Sequence, residues 1–423
     1  MFAIPGNAGG ELRLVDIDRT RLEPMTQLLA RVVDELGVAD RWTIRATTER
    51  RDVLAGTDYI VNCIEVSGLE CVRHDNEIPA SFGVDQCIGD TIGPGGLFKG
   101  LRTIPVWLDV LRDAEDLCPD AVVLNYTNPM SMMCLAAART SSMQVVGLCH
   151  SVQATSRLLA HRAGVRYRDL DWDCAGINHL AWFTRLEHDG KDLYPALIAK
   201  AKRDLAGDPD DPDDARDLVR KDMMVHFGAF ITESSGHLSE YLPYYRTRRN
   251  VIDKYCDTGY DGESSFYANN WPTWRADADH NRAAMISGAS PLHTRRSWEY
   301  ASWIIEAREK DVAYSIHGNV ANGDGLIDNL PRNGIVEVDC TVDARGITPN
   351  RHGALPPHMA AICASNMAMY DLGAQAAIER SKEMAVHALM LDPLTAAMCT
   401  PAEIKAMTLE LFDAEAEYLD NYR

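Results

Sequence analysis

Four short apolar runs punctuate the first 150 residues: LRLVDID at 12–18, DYIVNCIE at 58–65, AVVLNYT at 121–127 and MQVVGLC at 143–149. Each is only as long as a strand; the first ends in two aspartates, and the other three show little polar alternation. Each gives way to a turn and a stretch of helical spacing, as LEPMTQLLARVVDELG does at 22–37 before closing on glycine. Runs that are apolar on both faces suit strands buried in a parallel sheet. Their alternation with helices predicts a doubly wound α/β fold with a Rossmann-like parallel sheet.

The pattern changes after about residue 170. GINHLAWFTRLEHDGKDLYP reads as a strand, a turn and an antiparallel return. GDPDDPDDARD at 207–217 reads as an acidic loop whose last aspartates cap the helix ARDLVRKDMMVHFGAF. Helical spacing returns at 297–310 and over most of 357–422, and GIVEVDCTVDARGITP predicts a pair of strands. The expected plan is a nucleotide-binding domain over 1–170 and an α+β domain over 171–423 that carries substrate and oligomer contacts. The halves are expected to share one extensive interface, since neither a repeat nor a low-complexity linker divides them.

One part of that plan is missing. A dinucleotide-binding sheet begins with a strand and a G-x-G-x-x-G turn, and the following strand ends on an acid that binds ribose hydroxyls. Asp16 stands in the place of that acid, with Asp18 two residues on. Only IPGNAGGELR precedes them, and Gly6, Gly9 and Gly10 follow no strand. The first strand and its phosphate-binding turn are therefore expected to be absent. The plainer alternative makes Asp16 and Asp18 turn residues that cap the next helix.

Composition narrows the class of partner. Of 423 residues, 46% are hydrophobic and 25% charged, as in an ordinary globular enzyme, but the net charge is −20. That surplus argues against nucleic acid and anionic membranes, which need basic residues to neutralise phosphate. Eleven cysteines, odd in number and without a C-x-x-C pair, read as reduced thiols of a cytoplasmic protein. No apolar run approaches the ~20 residues of a membrane helix, and the N-terminus has no secretory pattern.

The candidate chemistry lies at strand ends. GDTIGPGGLFKGLR at 89–102 reads as a glycine-rich loop entering a helix, with a mobile surface loop as the alternative. In NYTNPM, Asn125 and Asn128 fall at the carboxyl end of a strand, where open α/β sheets bind ligands. Cys149 ends another strand and begins a helix, a position whose N–H groups and dipole favour thiolate. His179 follows thirty residues later in GINHLAWF. Thiolate and imidazole together suit Mn, Fe, Co, Ni or Zn. The bland alternatives are an inert buried cysteine and a core histidine. TESSGHLSEYLPYYR at 232–246 packs Glu233, Ser235, His237, Glu240, Tyr241, Tyr244 and Tyr245 into fifteen residues, either a sugar pocket or an amphipathic interface.

Taken in order, GDTIGPGGLFKGLRTIPV, NYTNPM, GLCHSVQ, AGINHLAWF, TESSGHLSEYLPYYR, RRSWEYASWIIEA, GNVANGDGLIDNLP and VEVDCTVDARGITP resemble the NAD- and manganese-dependent glycoside hydrolases of family 4. The likeness runs from about residue 12 to the C-terminus. CHSV resembles the α-galactosidase branch, whereas phospho-sugar branches carry aspartate or asparagine where this chain has His150. The resemblance implies a lactate/malate dehydrogenase-like fold, NAD and Mn2+ (or another divalent metal) as cofactors, and a homodimer or homotetramer. It implies hydrolysis of α-galactosides by C3 oxidation, C2 deprotonation, elimination and water addition, an exception to two-carboxylate glycosidases. It makes Cys149 and His179 metal ligands, Tyr241 the base (Tyr244 and Tyr245 staying open), and Asn128 a substrate contact. His150 becomes a leaving-group or hydroxyl contact, His237 a further metal or substrate contact, and Asp16, with Asp18 nearby, the ribose-binding acid. Three other readings stay open: α-glucosidase or α-uronidase specificity, a 2-hydroxy-acid dehydrogenase, and a weakly active or non-catalytic relative lacking part of the NAD site.

Overall fold

The computed structural model describes residues 1–209 and 215–423. Its strands in chain order are β1 (Gly10–Val15), β2 (Trp42–Thr47), β3 (Tyr59–Asn62), β4 (Val122–Asn125), β5 (Gln144–Leu148), β6 (Asp171–Ile177), β7 (Leu180–His188), β8 (Lys191–Asp192), β9 (Tyr314–Ala321), β10 (Ile335–Asp343) and β11 (Gly346–Pro349). One sheet runs β3-β4-β5-β9-β10-β6-β7-β8, with β11 hairpinned onto β10. Strands β3, β4 and β5 are parallel, as their apolar runs require. β9 joins β5 antiparallel through Gly147–Asn319 and Leu148–Gly318, so the sheet continues from the first half of the chain into the second.

β1 and β2 pair in parallel as a separate two-stranded sheet. β1 and β3 are each edge strands of their own sheet. Arg13 of β1 reaches the carbonyls of Val53 and Ala55 at 2.7 and 2.8 Å, and Asp16 lies near enough to Cys63 to help raise its thiol. Among the described residues no strand lies between those edges, and Val15, Ile17 and Val61 there are exposed.

The glycine-rich motif differs from the expected loop. Gly93 already begins the helix Gly93–Leu117, whose first turns are buried. A Cβ on Gly95 would stand 2.2 Å from the Gly89 carbonyl oxygen, and one on Gly96 2.3 Å from Thr91, so these glycines allow a helix to press on backbone. Leu97, Phe98, Leu101, Ile104 and Trp107 of this helix form the centre of the core. Arg102, also buried, grips Asp75 at 2.8 Å and Glu415 at 2.6 Å, and so ties the C-terminal tail to the core.

Residues 210–214 of the acidic loop lie outside the described residues. Asp217 does not cap the helix Leu218–Phe227 with its side chain; it accepts from Arg220 and Ser235 and forms an ion pair with Arg162. The strand pair at β10–β11 and the C-terminal helices from Pro357 onward form as expected. β2, whose WTIRAT alternates apolar and polar positions, and the helix Phe266–Ser287, which has no buried residue, went unpredicted. Among the described residues no helix is long and apolar enough to cross a membrane.

Candidate active site

The topology brings three ligand-type side chains together. Cys149 leaves the carboxyl end of β5, immediately before the helix Ser151–Arg162. His179 occupies the two-residue turn between β6 and β7 with φ +63°. Glu233, with φ +72°, follows Ile231, which is bridged to Trp182 of β7. A left-handed backbone at a non-glycine residue costs on the order of 1–3 kcal/mol and is kept where surrounding structure enforces it. A Cys149 sulfur, a His179 nitrogen and a Glu233 carboxylate oxygen lie within 4.8 Å of one another. Such a soft–intermediate–hard donor set fits a divalent transition metal better than Mg2+ or Ca2+. The buried Asn178 side chain reaches Cys149, and Oε2 of Glu337, which lies near Cys149 and His179, has no hydrogen-bond partner.

The thiol does not follow the helix-terminus expectation. Burial, with Glu233 adding repulsion, pushes Cys149 up to about 11, and its contacts with Ser151 only temper that. Desolvation of the thiolate outweighs the helix dipole, so the metal-free cysteine is a thiol at neutral pH. Glu337 of β10, fully buried and near both Cys149 and His179, is likewise pushed well above the carboxylate range by burial. Asn319 of β9 donates to it at 3.3 Å.

A second layer connects to these groups. Asn128 donates to Asp90 at 3.2 Å, and Lys99 lies 3.0 Å from Glu65 and 3.7 Å from Asp90. Burial alone would raise Asp90, but Lys99 overcomes it and holds the carboxyl at about 2. The Tyr241 hydroxyl stands 3.2 Å from His179 Nδ1 and 3.4 Å from His237 Nε2. Tyr244 is exposed and Tyr245 donates to Asp222 at 2.8 Å, so of the three candidate tyrosines Tyr241 is the one at His179. Burial, followed by the neighbouring Tyr370, pushes Tyr241 well above the usual tyrosine range.

Other sequence candidates sit differently. His150 lies at the rim with its side chain 59% exposed, Nδ1 3.8 Å from Glu299. His237 is only 2% exposed, with Nδ1 2.8 Å from Glu240 and Nε2 2.9 Å from His179. Asp18 caps the helix Arg19–Glu35 by accepting from Thr20 N at 2.8 Å, as the plainer alternative has it. Asp16 accepts from Asp18 N at 2.9 Å at the end of β1. The sequence reading passed over Asp90, Lys99 and Glu65, although Asp90 and Lys99 lie inside the quoted glycine-rich motif. It also missed Glu337, which strand alternation in VEVDC places inward.

Residues 4–165 match the family 4 glycosyl hydrolase model, and residues 174–395 match the family 4 glycosyl hydrolase C-terminal domain. The chain belongs to glycoside hydrolase family 4. It is 37% identical over 421 residues to an α-galactosidase of Bacillus subtilis (strain 168), covering 98% of this chain and 93% of that one. It is 37% identical over 429 residues to an α-galactosidase of Rhizobium meliloti (strain 1021), covering 100% and 86%. Its fold is similar to that of a 6-phospho-α-glucosidase from gut microorganisms solved in complex with NAD and Mn2+. There the TM-score is 0.78 at 20% identity, with 98% of this chain and 93% of that chain covered. In this family 4 hydrolase the donor cluster lies at the carboxyl edge of β5, beside the crevice where an open α/β sheet binds its ligands.

Proposed function

We propose that this family 4 hydrolase cleaves α-galactosides by oxidation, elimination and hydration at the cluster of Cys149, His179 and Glu233. The observation that carries the reading is that mixed donor set with the Tyr241 hydroxyl 3.2 Å behind its histidine. The two α-galactosidases at 37% identity support galactose as the sugar. When bound, NAD+ supplies a hydride acceptor for C3 and a divalent cation supplies a Lewis acid for the sugar's vicinal oxygens.

The chain's own groups do the rest. Cys149, His179 and Glu233 hold the cation. Tyr241 removes the proton from C2. Asn128, oriented by Asp90, binds a sugar hydroxyl. His150, on the rim, meets the leaving group. Asp16, at the carboxyl end of β1, binds the ribose of the nucleotide. The residues present fit the metal fully. They fit the nucleotide at its adenosine end, while no glycine-rich phosphate turn lies between β1 and β3 among the described residues.

The test is release of nitrophenol from the α-galactoside, α-glucoside and α-galacturonide in the presence of NAD+, Mn2+ and a thiol reductant. The galactoside is expected to turn over fastest, with no net NADH. Turnover of another glycoside without the galactoside overturns the specificity. Stoichiometric NADH accumulation points to a dehydrogenase instead.

A further inference from the structure

The hydrogen bonds behind His179 run in one direction. Glu240 starts them. Its Oε1 accepts the backbone N–H groups of Cys87, Ile88 and Gly89 at 2.5, 2.6 and 3.2 Å. Its Oε2 lies 2.8 Å from His237 Nδ1. A carboxylate so held only accepts, so His237 carries its hydrogen on Nδ1. Neutral imidazole then presents a lone pair at Nε2, and that nitrogen lies 2.9 Å from His179 Nδ1. Two nitrogens at this separation need one hydrogen between them. With the lone pair on a neutral His237, the hydrogen of this shortest contact belongs to His179 Nδ1; the Tyr241 hydroxyl, farther off at 3.2 Å from His179 Nδ1 and 3.4 Å from His237 Nε2, accepts from the first or donates to the second without changing that assignment.

The consequence falls on the far side of the ring. His179 Nε2 is left bare, and Nε2 is the nitrogen that faces Glu233, 3.8 Å from its Oε2. A metal binds the lone-pair nitrogen of a neutral imidazole, and the hydrogen bond on the other nitrogen decides which one that is. His237 and Glu240 are both 2% exposed, so water has little access to break the relay.

We propose that Glu240 and His237 are positioning residues that lock His179 in its Nδ1–H tautomer and so present Nε2 to a divalent cation. The proposal rests on the reading of Cys149, His179 and Glu233 as the metal site.

Glu240→Gln reverses the relay while keeping its shape. The amide oxygen stays with the three N–H groups, and the amide NH2 replaces Oε2 and donates to His237 Nδ1. His237 then carries hydrogen on Nε2 and donates to His179 Nδ1. His179 is left with hydrogen on Nε2, aimed at the cation. Mn2+ affinity of the full chain, read as free aqueous Mn2+ by electron paramagnetic resonance, is expected to weaken about 10–100-fold. A second measurement needs no variant: nitrogen-15 NMR of the metal-free protein labelled at histidine should show His179 protonated at Nδ1 and bare at Nε2. The opposite tautomer, or a folded Glu240→Gln protein that binds Mn2+ as tightly as the unaltered one, overturns the proposal. Cys149→Ser and His179→Ala separate the two failures. If they abolish Mn2+ binding and Glu240→Gln does not weaken it, the relay alone is wrong. If they leave binding unchanged, the metal-site reading is wrong and the relay falls with it.

Discussion

Cys149 offers a quantitative test of the metal site. In the metal-free protein burial and Glu233 hold its thiol up to about 11. A metal binds thiolate, so loading the site must expel one proton from this sulfur. At pH 7.5 the deprotonation costs about 5 kcal/mol, roughly 3.5 pH units at 1.36 kcal/mol each, deducted from the intrinsic affinity of the cation. The sign is fixed. The thiol is protonated below about 11, so each rise of one pH unit lowers the apparent Kd tenfold. Between pH 7.5 and 9, where an ordinary histidine is already neutral, Mn2+ affinity should rise about 30-fold. Calorimetry in buffers of different ionisation enthalpy should count close to one proton released per Mn2+ bound. Cys149→Ser should remove both the proton and the slope. Tight Mn2+ binding with no proton release, or an unchanged slope in Cys149→Ser, would refute the assignment of sulfur to the metal.

Three further outcomes test other parts of the structure. Tyr241→Phe should lower kcat about 10²–10⁴-fold, the usual worth of a positioned base, and stop exchange of solvent deuterium into C2, with Mn2+ affinity little changed. Exchange at the normal rate would remove Tyr241 from that role. Arg102→Met strands Asp75 and Glu415 as buried carboxyls and should cost about 3–5 kcal/mol in urea unfolding, provided unfolding is reversible. Asp392, fully buried, is raised by burial to about 6 although Thr395 N–H bonds to it at 2.8 Å. Its folded form therefore keeps a proton that the unfolded chain releases near 4, and stability falls as pH rises from about 4 to 6, by roughly 3 kcal/mol. Asp392→Asn keeps an acceptor for Thr395, so it should be the more stable protein at pH 7 and lose that pH slope. A less stable variant at pH 7 would refute the reasoning.

Legibility in the sequence followed how local each signal was. β3, β4 and β5 are apolar on both faces, and a run of four to six such residues announces itself. Cys149 and His179 stood out because each follows or interrupts an apolar run, where a polar group needs a reason. β2 reads WTIRAT, a six-residue apolar–polar alternation that was a legible strand signal and went unused; it pairs with β1. The thiol's protonation was misread because helix position is visible in sequence whereas desolvation is not. Cys149 is fully enclosed only once the chain folds, and Glu233, which adds repulsion, lies more than eighty residues away in sequence. Glu233 could be noted as one polar residue among several in TESSGHLSEYLPYYR, but its place beside Cys149 depends on the bridge between Ile231 and Trp182.

The charges around the site explain why two carboxylates do not serve here as acid and base. Glu240 is anchored by three backbone N–H groups, and Asp90 and Glu65 share Lys99. Glu337 is pushed toward its neutral form by burial. Glu233 is the carboxylate left facing the sulfur, its Oε2 3.8 Å from His179 Nε2. Deprotonated Cys149 and Glu233 together bring two negative charges to one point of low dielectric, and neutral His179 does not offset them. A divalent cation does, and its charge is also what can bring the Tyr241 hydroxyl, raised by burial, down toward neutrality. The same ion thus answers for the thiol, the stranded carboxylate and the reluctant tyrosine. A glycosidase built this way gains its base from the metal's field, without the pair of spaced carboxyls that direct protonation of the glycosidic oxygen would require.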